Sequence, residues 1–217
     1  MNFFDILAQL AQGISFTLLV TLVCSATGLF VGLFVSCLRR LDFLWLSRAI
    51  DSYTYVFRGV PVLVLLFMVY FGLPGVGFKV PPLIAMALSL GLVASAYLAE
   101  VFRGAFNSVD PAEILAAESM GMSRIQVLCY IEIPQMLRFS VPGMVNEFTT
   151  VLKYSPFAYT VGIPEITKQA MTLTATTLRG IEVYLAVGIL YFAIYRCCLF
   201  GVQLLSKRYQ IPGMGTV

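Results

Sequence analysis

The sequence predicts an all-α integral membrane protein with five transmembrane helices, joined in part by a long polar loop that contains two short helices. Hydrophobic residues make up 59% of the chain and charged residues only 12%, and the mean hydropathy is +0.90. Soluble domains carry about 25% charged residues. The chain also contains five apolar stretches of about 20 residues, the length that crosses a bilayer as a helix. Lipid is therefore the expected solvent for most of its surface.

The five predicted spans form one transmembrane domain that extends over residues 14–217. The first span has no charged residue, and the fourth is the most polar because it holds a glutamate, a lysine and two prolines. The predicted spans cover residues 14–38, 53–73, 80–99, 139–163 and 183–205.

The segment before the first span, residues 1–13, has a helical pattern of its own. Phe3, Ile6, Leu7 and Leu10 share one helical face, which is typical of a short helix that lies in the membrane interface. A frayed terminus is the alternative. Because residues 1–12 contain no Lys or Arg, the positive region of a cleavable signal peptide is missing.

The distribution of Lys and Arg between the loops predicts the orientation of the spans, because cytoplasmic loops carry the excess of positive charge. This places the N-terminus outside the cell and the C-terminus inside. Eight cations lie on the inner side and three on the outer side. The inner cations are Arg39, Arg40, Arg48, Arg103, Arg124, Arg138, Lys207 and Arg208, and the outer ones are Lys79, Lys168 and Arg179.

Several kinds of chemistry are excluded by residues that the chain lacks. It has no histidine, so it has no histidine general base and no histidine metal ligand. Its five cysteines form no C-x-x-C pair, and we interpret them as small hydrophobic residues. No phosphate-binding loop of the type G-x-x-x-x-G-K-[ST] is present. We therefore expect no catalytic residue, metal site or cofactor in this chain.

The polar segment between the third and fourth spans carries the signals of two short helices. Asp110 and Pro111 are typical of an N-cap and a first helical position, and Gly121 is typical of the residue that follows a helix. Residues 123–126 form a second capping box, and Pro134 closes the unit. The predicted order is helix, glycine turn, helix and proline, leading directly into the fourth span.

The first of these short helices has a face on which another protein could dock. Glu113, Ala116, Ala117 and Met120 fall on this face, where small side chains allow another backbone to approach. A connector that packs only on its own protein is the alternative, and the residues alone leave both open.

The fourth span carries two charges that need an explanation. An ionised side chain at the bilayer centre costs roughly 2.5–3.5 kcal/mol on insertion scales, and Glu147 and Lys153 lie about 9 Å apart along a helix. If both face a polar cavity, they suit the amino and carboxylate groups of a zwitterion. The alternative is that they satisfy backbone freed by Pro142 and Pro156, or pair with another helix. The candidate substrate-binding residues are Asn146, Glu147, Thr150, Lys153 and Ser155, with Thr149 nearby.

The loop resembles the signature of bacterial ABC importer permeases. That signature is Glu-Ala-Ala, three residues, Gly, nine residues, Ile, one residue and Leu-Pro, and residues 115–117, Gly121, Ile131 and residues 133–134 keep its spacing. Leu115 replaces the usual glutamate and Ile133 the usual leucine. Glu118, one helical turn further on, is the acid that could replace the missing one.

The resemblance extends to permeases for polar amino acids. Tyr154 and Pro156 depart from the pattern in the fourth span, so the resemblance gives no basis for copying a relative's specificity. The similar segments are residues 57–61, 70–74, 96–104, 146–159 and 161–165.

The resemblance implies a multi-pass permease subunit of an ATP-driven amino-acid importer in the bacterial inner membrane. Its translocation path would form in a dimer with a second permease chain, the same or a related one. A cytoplasmic ABC ATPase, which would bind the ATP and Mg, would dock on the loop of residues 108–134, and an extracytoplasmic binding protein would deliver the substrate. Lipid is expected as a partner and nucleic acid is not. The implied ATPase-coupling residues are Ala116, Ala117, Glu118, Gly121 and Pro134.

Three other functions remain to be compared with this one. A permease for another small polar solute would have the same loop. A non-transporting assembly or sensor protein would keep the loop but would not need the charges of the fourth span. An intramembrane enzyme is disfavoured, because the chain lacks histidine and a G-x-S-x-G sequence.

Overall fold

The computed structural model describes residues 2–41 and 43–209, with side chains described as far as Gly201. Within these residues the chain forms helices and turns and no β-strand, which confirms the predicted all-α class. Lys207 and Arg208, used in the count of cations, lie beyond the described side chains. The α-helices are α1 (Phe3–Ala11), α2 (Ile14–Arg39), α3 (Leu44–Gly59), α4 (Val62–Phe67), α5 (Pro82–Met86), α6 (Leu92–Phe106), α7 (Pro111–Ser119), α8 (Arg124–Val127), α9 (Ile133–Tyr154), α10 (Ile166–Thr177) and α11 (Gly180–Tyr209).

Five shorter helical segments of other types extend or connect these α-helices. A π-helical turn joins α5 to α6 and another joins α8 to α9, so each pair runs as one continuous helix. The π-helical turns are Met68–Gly72, Ala87–Gly91 and Leu128–Glu132, and the 3-10 helices are Leu73–Val76 and Ser155–Val161.

The centre of the bundle is the contact between α2 and α6, which is close because α2 carries glycines there. A Cβ atom on Gly28 would lie 2.9 Å from the Cβ of Ala94, and one on Gly32 would lie 2.9 Å from the carbonyl oxygen of Ser95. Both distances are too short for a real side chain. The G-x-x-x-G spacing of α2 therefore serves a close helix contact within the chain.

Helix α9 packs on the same α6, again at a glycine. Gly143 faces Val101 so closely that a Cβ atom would collide with that side chain. Phe102 and Met136 are fully buried in the cluster between these helices. Helices α2, α6 and α9 thus form one packed group.

The second predicted span, residues 53–73, is divided by a sharp bend. The axes of α3 and of the segment Val62–Val76 differ by 101°. Val60 is extended, with φ −94° and ψ 132°, because a residue before proline is disfavoured in the α-helical region, and Pro61 follows it. The Tyr53 hydroxyl, which donates to the Leu92 carbonyl oxygen at 3.2 Å, fastens α3 to α6.

The N-terminal segment forms a helix, α1, as one of the two sequence interpretations predicts. Its apolar face packs against α10 and α11, and Ile6 and Leu10 are fully buried there. Gly13, which follows α1, lies against the backbone of α10, since a Cβ atom on it would be 2.5 Å from the Ile166 nitrogen. A frayed terminus is therefore not what the structure shows.

Three described helices are long and apolar enough to cross a membrane, and a fourth candidate is the bent pair of α3 and Val62–Val76. The three are Ile14–Arg39, Pro82–Phe106 and Gly180–Gly201. The residues of the predicted fourth span lie in α9 and in the 3-10 helix Ser155–Val161. Helix α9 is unbroken at Pro142, whereas the change from α- to 3-10 geometry occurs next to Pro156.

The close contact at Gly28 predicts which glycines tolerate a side chain. We expect Gly28→Leu to lower the thermal unfolding midpoint of the chain in detergent, because overpacking costs about 1–3 kcal/mol. Gly188→Leu on α11 is the matched control, since no heavy atom lies within 4 Å of a Cβ atom there. Unfolding followed by size-exclusion chromatography after heating measures both, and an equal loss in the two variants would contradict the packing described.

Candidate functional site

The loop between α6 and α9 forms the two short helices that the sequence predicts. Asp110 caps α7, because its carboxylate accepts a hydrogen bond from the Ala112 nitrogen at 2.9 Å. Ser123 caps α8 in a capping box, with its nitrogen 2.8 Å from the Gln126 side-chain oxygen. The predicted start signals of both helices are confirmed.

Gly121 ends α7 in a left-handed conformation that favours glycine. Its φ is +87°, and the nitrogen of Gly121 donates to the Glu118 carbonyl oxygen at 2.9 Å. The next nitrogen, that of Met122, donates to the Ala117 carbonyl oxygen at 3.2 Å. These two bonds form a Schellman motif, which satisfies carbonyl groups at the end of α7.

The surface that α7 presents to solvent is largely apolar. Leu115 is 65% exposed and Met120 is 85% exposed, and Ala116 lies on the surface between them. Ala117, by contrast, is buried, so of the two alanines only Ala116 presents its side chain to solvent. Glu118 is exposed, with its Oε1 3.7 Å from a guanidinium nitrogen of Arg124.

Pro134 does not separate the loop from the following span. It lies in the first turn of α9, and the π-helical turn Leu128–Glu132 joins α9 to α8 without a break. A proline has no backbone N–H to donate within a helix. The regular α-helical hydrogen-bond pattern is interrupted just before Pro134, in the wider π-helical turn. The loop and the polar helix α9 are therefore one continuous helical unit from Arg124 onward.

Three of the predicted substrate-binding residues share one accessible face of α9. Asn146, Thr150 and Lys153 follow each other at helical spacing, and none of them is buried. The hydroxyl of Thr150 donates to the Asn146 carbonyl oxygen at 3.0 Å, as does that of Thr149 at 2.8 Å. The structure thus brings an amide and an amine to one polar strip.

Glu147 and Ser155 lie on the inner side of the same segment. Both are buried, and the Ser155 hydroxyl donates to the Leu152 carbonyl oxygen at 2.8 Å. The ion pairs of the described residues do not include one between Glu147 and Lys153. The structure therefore separates the two charges instead of joining them.

Lys153 has an aromatic neighbour that the sequence did not indicate. Its Nζ lies 5.4 Å from the centre of the Tyr195 ring on α11, within the range of a cation–π interaction. Tyr154, a departure from the family pattern, stacks on Phe157 with ring centres 5.7 Å apart. An aromatic ring of α11 therefore lies beside the amine.

Two buried carboxylates outside the predicted site also bond across helices. Glu165 caps α10, because its carboxylate accepts hydrogen bonds from the backbone nitrogens of Thr167 at 2.8 Å and Lys168 at 2.7 Å. The hydroxyl of Tyr191 on α11 also donates to this carboxylate, at 2.9 Å. Glu132 accepts a hydrogen bond from Arg40 Nε at 2.8 Å. In the sequence, Glu132 is the single carboxylate in the otherwise apolar run of residues 127–133, and this isolated charge was the signal that could have pointed to a buried partner.

Comparison with known proteins agrees with this arrangement. The sequence model of the binding-protein-dependent transport system inner membrane component family matches residues 28–211. YxeN, a probable amino-acid permease protein of Bacillus subtilis (strain 168), is 35% identical over 188 residues, which are 85% of this chain and 84% of YxeN. YckA of the same strain, a probable amino-acid ABC transporter permease protein, is 31% identical over 198 residues, or 91% and 88% of the two chains.

A solved structure has the same fold over nearly the whole length. The crystal structure of an amino acid ABC transporter with histidines contains a chain that is 29% identical, with a TM-score of 0.85, and the match covers 96% of this chain and 99% of that one. The match of the family model covers most of this sequence, including the loop, α7 to α9 and the polar strip. The chain belongs to the family of binding-protein-dependent transport system inner membrane components.

Proposed function

We propose that this chain is the membrane-spanning permease subunit of an ATP-driven amino-acid importer. The observation that carries the proposal is the continuous helical unit from Arg124 to Tyr154, which links an exposed capped loop to a polar strip on α9. The relatives named as amino-acid permeases support the same substrate class. A permease for another small polar solute is the main competing function.

The proposed topology has five spans, with the N-terminus outside and the C-terminus inside. The bent pair of α3 and Val62–Val76 is taken as the second span, and α9 with its 3-10 extension as the fourth. Support comes from the eight inner and three outer cations. On this topology α7 and α8 lie in the cytoplasm, and α1 and α10 lie on the outer side, where the binding protein would dock.

The exposed surface of α7 is the proposed docking site of a cytoplasmic ABC ATPase. Leu115, Ala116 and Glu118 lie on it, Gly121 fixes its end, and Pro134 lies where the loop enters α9. Ala117 supports the helix from its buried side. ATP and Mg would bind to the ATPase alone, since this chain has no phosphate-binding loop.

A second permease chain, identical or related, is proposed to cover the polar strip of α9. Lys153 is exposed in the single chain, and a cation that faces lipid at the bilayer centre is costly. A second chain with a similar strip would enclose a polar path between the two subunits. Asn146, Thr150 and Lys153 would then contact the substrate, with Glu147 and Ser155 behind them.

The proposal is tested by purifying the chain alone and as a complex. We expect the isolated chain to hydrolyse no ATP, because its sequence contains no phosphate-binding loop of the type G-x-x-x-x-G-K-[ST]. A complex purified from its own cell through a tag on this chain should contain an ABC ATPase, hydrolyse ATP and, when its binding protein is supplied, import amino acids into liposomes. The assay uses a mixture of the twenty labelled amino acids, and hydrolysis by the isolated chain would contradict the proposal.

The left-handed conformation of Gly121 predicts a variant that uncouples transport. We expect Gly121→Asp to lower uptake by about tenfold or more, because an anion is unfavourable at a helix C-terminus. Gly121→Asn is the matched control, since asparagine has a similar size, tolerates this conformation and carries no charge. Uptake and ATP hydrolysis by the complex are compared, and normal coupled uptake with aspartate would contradict the proposed role.

The position of Lys153 predicts a second variant, this time in the substrate path. We expect Lys153→Gln to lower the uptake rate by about 10- to 150-fold, the effect of losing one charge-assisted contact of about 1.5–3 kcal/mol, while the complex still assembles. Lys79→Gln, in an exposed loop on the outer side, is the control and should leave uptake unchanged. Unchanged uptake in Lys153→Gln would contradict the proposed place of Lys153 in the substrate path.

A further inference from the structure

A buried ion pair joins the C-terminal end of α2 to the π-helical turn that precedes α9. Arg40 Nε lies 2.8 Å from Glu132 Oε1, and Arg40 Nη2 bonds the same oxygen. The side chain of Glu132 is 0% exposed and that of Arg40 is 26% exposed. The two residues are far apart in the sequence, so the pair fixes one element of the fold to another.

Stability alone does not account for a buried pair of this kind. Burying a carboxylate is costly unless a partner compensates it, and apolar residues of similar size often stabilise a protein equally well or better. What a buried ion pair adds is a fixed geometry between the elements that carry it. Because two nitrogens of Arg40 bond one oxygen, the end of α2 and the π-helical turn are held in one register.

Arg40 is bordered by an aromatic ring and by a cavity. The guanidinium carbon of Arg40 lies 5.7 Å from the centre of the Phe106 ring, and a cavity of about 230 Å³ adjoins it. Glu132 Oε2 has no hydrogen-bond partner within the described residues. The cavity is lined by Ser36, Arg39, Arg40, Arg103, Phe106 and Asn107.

The other two arginines of this cavity are already paired elsewhere. Arg39 bonds Asp51 of α3, and Arg103 donates to Glu100 on its own helix, α6, at 2.6 and 3.0 Å. The cavity is therefore not a cluster of uncompensated positive charge that would attract an anion. Of these three pairs, the one between Arg40 and Glu132 alone reaches the helical unit that begins in the loop.

We infer that Arg40 and Glu132 are positioning residues that transmit movement of the loop to α2. The inference rests on the proposed function, in which the ATPase docks on α7. A displacement of α7 and α8 moves the π-helical turn, since α8, the turn and α9 are continuous. The ion pair then carries the end of α2 with it, and the close contact of α2 with α6 passes the movement into the bundle.

The test compares coupling in variants of the complex purified from its own cell through a tag on this chain. In Glu132→Gln the side chain keeps its shape and loses its charge. We expect ATP hydrolysis without binding protein to stay within about twofold, while uptake and the stimulation of hydrolysis by binding protein and the twenty-amino-acid mixture both fall about tenfold. A merely structural pair would instead lower the yield and thermal midpoint of the complex and leave the stimulation of the surviving complex normal.

Three further variants complete the test: Glu100→Gln, the single variant Arg40→Gln and the double variant Arg40→Gln/Glu132→Gln. Glu100→Gln is the matched control, because it breaks a carboxylate–arginine pair within one helix, and it should leave uptake and stimulation unchanged. The double variant Arg40→Gln/Glu132→Gln replaces the ion pair by two amides that can bond each other. We expect uptake by the double variant to be no lower than uptake by whichever single variant, Arg40→Gln or Glu132→Gln, transports less. The reason is that the two residues act through one contact.

The outcomes separate this inference from the proposed function. If the unmodified complex contains no ATPase or imports no amino acid, the proposed function is wrong. If the unmodified complex transports and Glu132→Gln transports equally well with normal stimulation, the inference alone is overturned. Strictly additive losses in the two single variants and the double variant would overturn it as well.

Discussion

The close contact between α2 and α6 is the interaction on which the other elements depend. Side chains are absent at Gly28, Gly32 and Gly91, where a Cβ atom would lie 2.9 Å from its nearest neighbour. In lipid, helices gain little from hiding apolar surface from each other, so close approach of backbones is a main source of their association. Helix α6 then holds α3 through Tyr53 and α9 at Gly143. The polar helix is thus fixed to the most closely packed part of the chain.

Some polar side chains of α9 and of the 3-10 helix that follows it bond to the helix backbone, whereas others lie on the accessible face of α9. The hydroxyls of Thr149, Thr150 and Ser155 donate to carbonyl oxygens one turn earlier, which lowers the cost of placing them in a membrane. The side chains that remain on the accessible face are those of Asn146 and Lys153. A helix can therefore be polar enough to line a path and still be stable in a bilayer-spanning assembly.

Much of the fold could be predicted from the sequence, because local signals decide it. The caps at Asp110 and Ser123 and the glycine at position 121 lie next to the elements that they end. The bend follows from Val60 and Pro61, but residues 53–73 are long and apolar enough to be interpreted as one span. The contacts of Arg40 with Glu132 and of Lys153 with Tyr195 join distant parts of the chain, and no local pattern encodes such pairs. Burial of Ala117 and Glu147 likewise depends on packing against other elements.

The exposed Leu115 determines how the docked assembly would respond to salt. An ion pair at that position would be weakened as ionic strength rises, because the Debye length falls from about 10 Å at 0.1 M salt to about 3 Å at 1 M. Leu115 is apolar and 65% exposed in the free chain. A contact that buries it gains free energy because apolar surface leaves water, and salting-out ions strengthen this effect. If an ATPase docks on α7 as proposed, its contact with Leu115 would therefore be less sensitive to concentrated salt than a contact between surface charges.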